Sequence, residues 1–383
     1  MQKNIERKVL LNPGPATTSE GVKLAQIVPD ICPREREFGE IANNVRKELA
    51  GICDRNDEYS CVLFTGSGTA AMDSVLSSVV HNKKILIINN GYYGERFLQI
   101  AKAYQIPHEE LKVDMLGEVD VLEVEQILEK RKDIGYVAMV HHETTTGILN
   151  PTREIGELCK RNEKIFIVDA VASFAGIPFS AKEHNIDYLF STSNKCLQAM
   201  PGICFVIGKK EGIESLKDKP KRNYYLDLYE QYKFFEKTET GQGTGGGQSR
   251  FTPAVQVIYT MAEALNELRE EGGVEKRYKR YSESYEVLLE GLEKLGFRPT
   301  HRREIHSKIS TTVFEPEGKD IDFKELHDKL YEKGYIIYPN RVEYHGNPIK
   351  VIRFANMGDI NREDISGFLS ELNRIIKKCE QLY

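Results

Sequence analysis

The amino-acid sequence predicts an α/β protein: a larger unit built on a mostly parallel sheet sandwiched by helices, followed by a smaller C-terminal α+β unit. Three observations lead there. Short apolar runs alternate with helix-like segments through the first half of the chain, the mark of parallel strands joined by crossovers. A chain of 383 residues with 40% hydrophobic composition outgrows a single core, which seldom passes about 250 to 300 residues. The order of elements then changes after the glycine pair in "EEGGVE", which sets a boundary giving units of 1–272 and 273–383.

The elements follow in order. "KVLLNPGP" is extended, because Pro13 and Pro15 forbid a helix. Apolar residues at Ile41, Val45, Leu49 and Ile52 predict an amphipathic helix over 38–53. "SCVLFTGSGTAAMDSVLSSVV" reads as strand, glycine turn and helix. "KKILIINNGYYGERFLQIAKAY" and "GYVAMVHHETTTGILNPTREIGELCKR" repeat that order, and "KIFIVDAV" adds another strand. A helical crossover, "AVASFAGIPFSAKEHNID", is expected before the strand that precedes "SNKCL". The glycine-rich "EKTETGQGTGGGQSRFTP" reads as a loop, and a long helical pattern runs from Pro253 to about Leu295, broken at the glycine pair. The remainder reads as strand, helix, strand, strand, helix.

The bulk composition excludes several classes. The 53 basic and 58 acidic residues, net charge −5, are spread without a basic block, which argues against nucleic acid. The seven cysteines (Cys32, Cys53, Cys61, Cys159, Cys196, Cys204, Cys379) are scattered and form no C-x-x-C pair, so no metal site is expected and the thiols read as reduced. The N-terminal stretch has only a three-residue apolar run, and no later run approaches the ~18 residues of a membrane span. A cytoplasmic protein is the expectation.

In open parallel sheets, ligands bind beyond the carboxyl ends of the strands. Ser67, Gly68, Thr69, Tyr93, Thr144, Asp169 and Lys195 all stand at such ends. The turn "TGSGTAAMD" exposes backbone N–H groups at a helix N-terminus, a seat for phosphate. It lacks the lysine of a P-loop. Gly66, Gly68 and Ala71 match a dinucleotide fingerprint, yet Asn89 and Asn90 stand where that fold wants an acid. A single terminal phosphate, as on a vitamin-derived cofactor, fits best. Asp169 and Lys195, 26 residues apart and each just past a strand, suit pyridoxal 5′-phosphate (PLP): a lysine for its aldehyde and a carboxylate for its ring nitrogen. A surface lysine and a helix-capping aspartate would explain the same residue types. Against that, apolar "DYLF" and "ICFVIG" flank "SNKCL" and disfavour an exposed helix face.

The segments "LLNPGP", "GSGT", "NGYYGER", "HHETTTGILNP", "FIVDA", "SNKC", "YYLDLYEQYKFFE", "RFTPA", "YIIYP" and "IRFANMG", in that order, span nearly the whole chain. With them the sequence resembles the class V, fold-type I PLP-dependent aminotransferases, and among them the branch that passes the amino group of 2-aminoethylphosphonate to pyruvate. The resemblance implies a large PLP-binding domain and a small C-terminal α+β domain. It implies Lys195 as the Schiff-base lysine and Asp169 as partner of the pyridinium nitrogen. Ser67, Gly68 and Thr69 would form the phosphate cup, with Asn194 an addition; Thr144 would bond the phenolic oxygen and Tyr93 lie on the ring. Thr252 would reach the phosphate of a neighbouring subunit, making a homodimer with shared sites, and Arg353 would hold the substrate's anionic group. The substrates implied are a small phosphonate amine and a 2-oxo acid, giving phosphonoacetaldehyde and L-alanine, or the reverse in phosphonate synthesis.

Two features depart from the family pattern. The insert Gly241–Gly247 opens the competing readings of Thr240 or Thr244 in place of Thr252, and Arg34 and Arg36 are either phosphonate ligands or a solvated, self-paired charge run. Other readings remain: a class V transaminase for serine or alanine with glyoxylate; a PLP lyase or cysteine desulfurase, for which His142 and Cys196 are the residues to inspect; and a nucleotide-binding protein without PLP.

Overall fold

Strand side chains alternate between the two faces of a sheet, so consecutive apolar positions demand cover on both. In the structure, a computed structural model that describes residues 6–54, 57–236, 246–318 and 321–380, the apolar runs do form such a sheet. In chain order the first elements are β1 (Val9–Leu10), α1 (Glu20–Leu24), α2 (Arg36–Cys53), β2 (Tyr59–Thr65), α3 (Gly68–Val79), β3 (Lys84–Asn89), α4 (Tyr92–Ala103), β4 (His108–Lys112), α5 (Val121–Lys130) and β5 (Ile134–Val140). A short hairpin, β6 (His142–Glu143) and β7 (Ile148–Leu149), precedes α6 (Thr152–Arg161), β8 (Ile165–Asp169), β9 (Tyr188–Thr192), β10 (Ile203–Lys209), α7 (Lys210–Glu214) and α8 (Leu228–Glu236). The chain continues through α9 (Val255–Glu271), α10 (Val274–Lys294), β11 (Arg298–Pro299), β12 (Ser310–Phe314), α11 (Phe323–Glu332), β13 (Tyr335–Ile336), β14 (Tyr338–Tyr344), β15 (Asn347–Ala355) and α12 (Arg362–Glu380).

The seven-stranded sheet has the order β2-β10-β9-β8-β5-β3-β4. All strands run parallel except β10, which pairs antiparallel with both β2 and β9. Ile85 to Ile88, Val137 to Met139 and Phe166 to Val168 are completely buried, so both faces are covered. Parallel alignment brings the carboxyl ends of β2, β3, β5, β8 and β9 to one edge, and the turns leaving them converge there.

One expected element is absent. Residues 170–187, read from the sequence as a helical crossover, form successive turns without a regular helix. Ala175 sits at φ +61°, outside helical backbone, and Pro178 removes a donor. A Cβ at Gly176 would overlap the side chain of Cys196, so the segment lies directly against the chain that carries Lys195.

The glycine pair acts as expected. Gly272 (φ +99°) ends α9 in the left-handed conformation and Gly273 (φ +87°) starts α10, with Gly273 N–H donating to the Leu268 carbonyl at 2.8 Å. Beyond it, β11-β12-β15-β14 form an antiparallel sheet whose core includes Leu288, Leu292, Phe297, Val313, Phe354 and Phe368. The N-terminal strand joins this second core: β1 pairs in parallel with β13, and Val9 and Leu11 pack among its residues. The chain then returns to the first sheet, where Ala16 N–H donates to the Asn194 carbonyl at 2.9 Å. The six described cysteines carry free thiols, and the side chain of Cys379 lies outside the description. Among the described residues no helix is long and apolar enough to cross a membrane.

Candidate active site

Lys195 follows β9 in a tight turn held by its neighbours. Ser193 Oγ donates to the Met200 carbonyl at 2.6 Å, and Gln198 N–H to the Lys195 carbonyl at 2.9 Å. The Lys195 amine donates to the Pro13 carbonyl. A Cβ at Gly14 (φ +136°) would overlap that amine, so both conformation and contact call for glycine there. Burial, and next the positive charge of Arg353, bring the Lys195 ammonium down to about 8.

Asp169 ends β8, the strand beside β9. It is 3% exposed. Val171 N–H donates to Oδ1 at 2.8 Å, while Oδ2 is buried and has no partner among the described residues. Burial pushes this carboxyl up to about 7; the Val171 bond opposes the shift, Glu143 adds to it, and Lys195 and Arg96 oppose it.

Thr144 follows β6, in the turn of the hairpin just beyond β5, and its hydroxyl is likewise buried without a partner among the described residues. Its carbonyl accepts from Arg353 Nη1 at 2.8 Å. Arg353, on β15 of the second sheet, keeps a buried Nε with no partner among those residues, and burial holds its pKa below the usual arginine value. Ser67 is the N-cap of α3, and Gly68 and Thr69 are its first residues, so their N–H groups stand at the positive end of the helix. A Cβ at Gly68 would come within 2.8 Å of Val171, so Gly68 allows α3 to approach the segment after Asp169. Tyr93 lies in the first turn of α4, half-buried.

Lys195, Asp169, Thr144, Arg353, Tyr93 and the 67–69 turn thus surround one place. Other residues singled out in the sequence have different partners. The Asn194 side chain accepts from Thr192 Oγ1 at 3.1 Å, bound to its own turn. Thr252 is exposed, and among the described residues no hydrogen bond joins it to Ser67, Gly68 or Thr69; Thr240 and Thr244 lie outside the described residues. The phosphonate reading of Arg34 and Arg36 gains no support. Arg34 donates to the Ser249 carbonyl at 2.6 Å, and Arg36 pairs with Glu40 at 2.7 Å one helical turn on. His142 bonds Ser307 Oγ through Nε2 at 3.0 Å, and burial keeps it neutral. Burial lifts the Cys196 thiol to about 12, unlike a reactive nucleophile.

Two residues escaped the sequence reading. Glu143, fully buried, accepts from Thr145 N–H at 3.0 Å, from Thr145 Oγ1 at 2.5 Å and from Tyr93 N–H at 3.2 Å, tying the 144–146 loop to α4. A Cβ at Gly91 would overlap its carboxylate, which gives the glycine of "NGYYGER" a physical reason. The other is Arg96, whose Nη1 donates to Thr69 Oγ1 at 3.1 Å and whose guanidinium lies 4.9 Å from the centre of the Tyr93 ring. Its spacing of three from Tyr93 on α4 is the signal that points to it.

Comparison with known proteins identifies the family and the fold. The family model described as Aminotransferase class-V matches residues 26–335. The chain is 38% identical over 372 residues to the 2-aminoethylphosphonate–pyruvate transaminase of Phocaeicola vulgatus, covering 96% of this chain and 99% of that one. It is 40% identical over 361 residues to the protein of the same name in Bacteroides fragilis, covering 94% and 96%. Among solved structures, the alanine–glyoxylate aminotransferase of Nostoc sp. superposes with a TM-score of 0.86 at 25% identity, covering 98% and 97%. The ureidoglycine–glyoxylate aminotransferase of Bacillus subtilis gives 0.86 at 24% identity, covering 99% and 95%, a likeness of fold.

Proposed function

The chain belongs to the class V aminotransferases, which work with PLP on a type I fold, and on that premise we propose that it transfers the amino group of 2-aminoethylphosphonate to pyruvate, leaving phosphonoacetaldehyde and L-alanine. The observation that carries the reaction class is the pairing, at the ends of adjacent strands, of a lysine whose amine titrates near 8 with a buried carboxylate oxygen that lacks a partner among the described residues. The substrate rests on the likeness to transaminases of 2-aminoethylphosphonate and on the buried Arg353 Nε, which has no partner among the described residues.

The residues present fit PLP. Asp169 Oδ2 and Thr144 Oγ1 are buried acceptors and donors left open, as a ring nitrogen and a phenolic oxygen require. Ser67, Gly68 and Thr69 would hold its phosphate, Asn194 would add its Nδ2 donor while Oδ1 accepts from Thr192, and Tyr93 would stack on its face. Bound PLP supplies an aldehyde for the lysine and a ring that draws electrons from the substrate's amine-bearing carbon. Lys195 Nζ then takes the proton from that carbon, and returns a proton to the carbon of the 2-oxo acid in the second half of the cycle. Arg353 orients the phosphonate or carboxylate through its planar fork of donors.

Thr252 stands on the exposed surface beside Phe251, on which Tyr225 stacks with ring centres 4.9 Å apart. This supports the proposal of a homodimer in which Thr252 serves a partner's phosphate seat. Free thiols throughout the described chain suit a cytoplasmic enzyme.

The test is a single-turnover experiment. 2-Aminoethylphosphonate should bleach the visible band of the enzyme-bound coenzyme much faster than alanine, serine or longer amines, and pyruvate should restore it. Preference for serine or alanine, with recovery by glyoxylate, would replace the substrate assignment while keeping the reaction class.

The lowered lysine pKa gives a further expected result. Capture of PLP needs the neutral amine, so the rate of reconstitution should rise with pH along a limb centred near 8 instead of near the ordinary 10.5. Arg353→Gln removes a charge that holds the value down and should move the limb to higher pH. Stopped-flow absorbance across the pH range measures both, and a limb unaffected by the substitution would show that Arg353 does not act on the amine.

A further inference from the structure

We infer that Arg96 is the fixed cation that matches the coenzyme's phosphate, working alongside Thr69 at the start of α3, and that it makes the site prefer a phosphorylated pyridoxal to a plain one. The inference rests on the PLP reading of the site. Arg96 reaches from the second turn of α4 to the first turn of α3, so a guanidinium stands at the N-terminus of that helix. Its Nη1 bonds Thr69 Oγ1 at 3.1 Å, and the plane of the guanidinium is braced by the Tyr93 ring 4.9 Å away.

The charge balance points to an anionic ligand. Arg96 is half-buried, its guanidinium held by Thr69 Oγ1 and the Tyr93 ring, and among the described residues no carboxylate forms an ion pair with it. Neither of these neutral groups balances its charge, which leaves it to attract an anionic ligand at the 67–69 turn. Arg96 is also close enough to the centre of the site to act on both Lys195 and Asp169. A dianion seated on the 67–69 turn would meet helix N–H groups, two hydroxyls and this guanidinium, a donor set well matched to three phosphate oxygens. Gly94 makes the placement possible, since a Cβ there would come within 2.5 Å of Asn89 Oδ1 and push α4 away.

Full-length enzyme freed of coenzyme and titrated separately with PLP and with pyridoxal, read by the visible absorbance of the bound form, tests this. Arg96→Gln should weaken PLP about tenfold to a hundredfold, as loss of a hydrogen bond to a charged group does, and leave pyridoxal within about twofold. Arg96→Lys, which keeps the charge but loses the fork, should fall between. Equal losses for the two aldehydes in both variants would make Arg96 a purely structural brace and overturn the inference. Unchanged PLP affinity with a raised KM for 2-aminoethylphosphonate would overturn it too, assigning the cation to the substrate's phosphonate. Failure of the unaltered enzyme to take up either aldehyde would instead defeat the PLP reading itself.

Discussion

Replacing Lys195 with alanine is expected to lower turnover of 2-aminoethylphosphonate with pyruvate by roughly ten-thousandfold or more, with the chain still folded and still holding coenzyme. The variant removes the tether and the proton carrier together, and the loss corresponds to about 5 kcal/mol or more of barrier. Folding should change little. The Pro13 carbonyl loses its donor, a cost of about 1 to 3 kcal/mol, but the protein no longer hides an amine whose protonation burial disfavours. Borohydride should fix the mass of the coenzyme to the unaltered chain and not to the variant. Lys195→Arg, which keeps a cation in the same place, should be as inactive as alanine. Turnover within tenfold of the unaltered enzyme in either variant would remove Lys195 from the chemistry.

The central sheet was legible because its strands are buried on both faces and read as unbroken apolar runs, so the residue pattern alone places Asp169 and Lys195 at strand ends. In the fold those ends belong to β8 and β9, which are adjacent. The path between them was not legible. Residues 170–187 have enough apolar spacing to suggest a helix, but close packing of Gly176 on Cys196 and the backbone of Ala175 select turns instead. Reversal of β10 between β2 and β9 is a long-range pairing that leaves no local trace, and so is the pairing of β1 with β13. Arg34 and Arg36 show the same limit in side chains. A charge run looks alike in sequence whether it faces a ligand or, as here, clamps the 249–250 backbone and pairs with Glu40. Arg96 and Glu143 were overlooked for the opposite reason. Apart from the local spacing of Tyr93 and Arg96, the contacts that matter, Arg96 with Thr69 and Glu143 with Tyr93, join distant residues only where two strand ends come together.

Asp169→Asn should cost about a thousandfold in the rate of amino transfer while leaving the fold intact. Asparagine keeps the oxygen that accepts from Val171, and its amide replaces Oδ2, the atom with no partner among the described residues, so no internal bond is lost. What changes is the charge facing the ring nitrogen. A carboxylate stabilises a protonated nitrogen; an amide N–H instead donates to an unprotonated one, which draws electrons far less well. A second measurement separates this from any general weakening. Burial lifts the Asp169 carboxyl from 3.8 to about 7, so the folded chain without coenzyme favours the protonated acid. Its contribution to stability is then complete below about pH 4 and is lost as the pH rises through 7. The variant has no such proton to lose. Without coenzyme, Asp169→Asn should therefore melt above the unaltered enzyme at about pH 8, with the gap shrinking toward about pH 5. With PLP bound the order should reverse, because only the carboxylate gains a cationic partner. A thousandfold kinetic loss without that reversal would mean that Asp169 supports the strand end and not the ring.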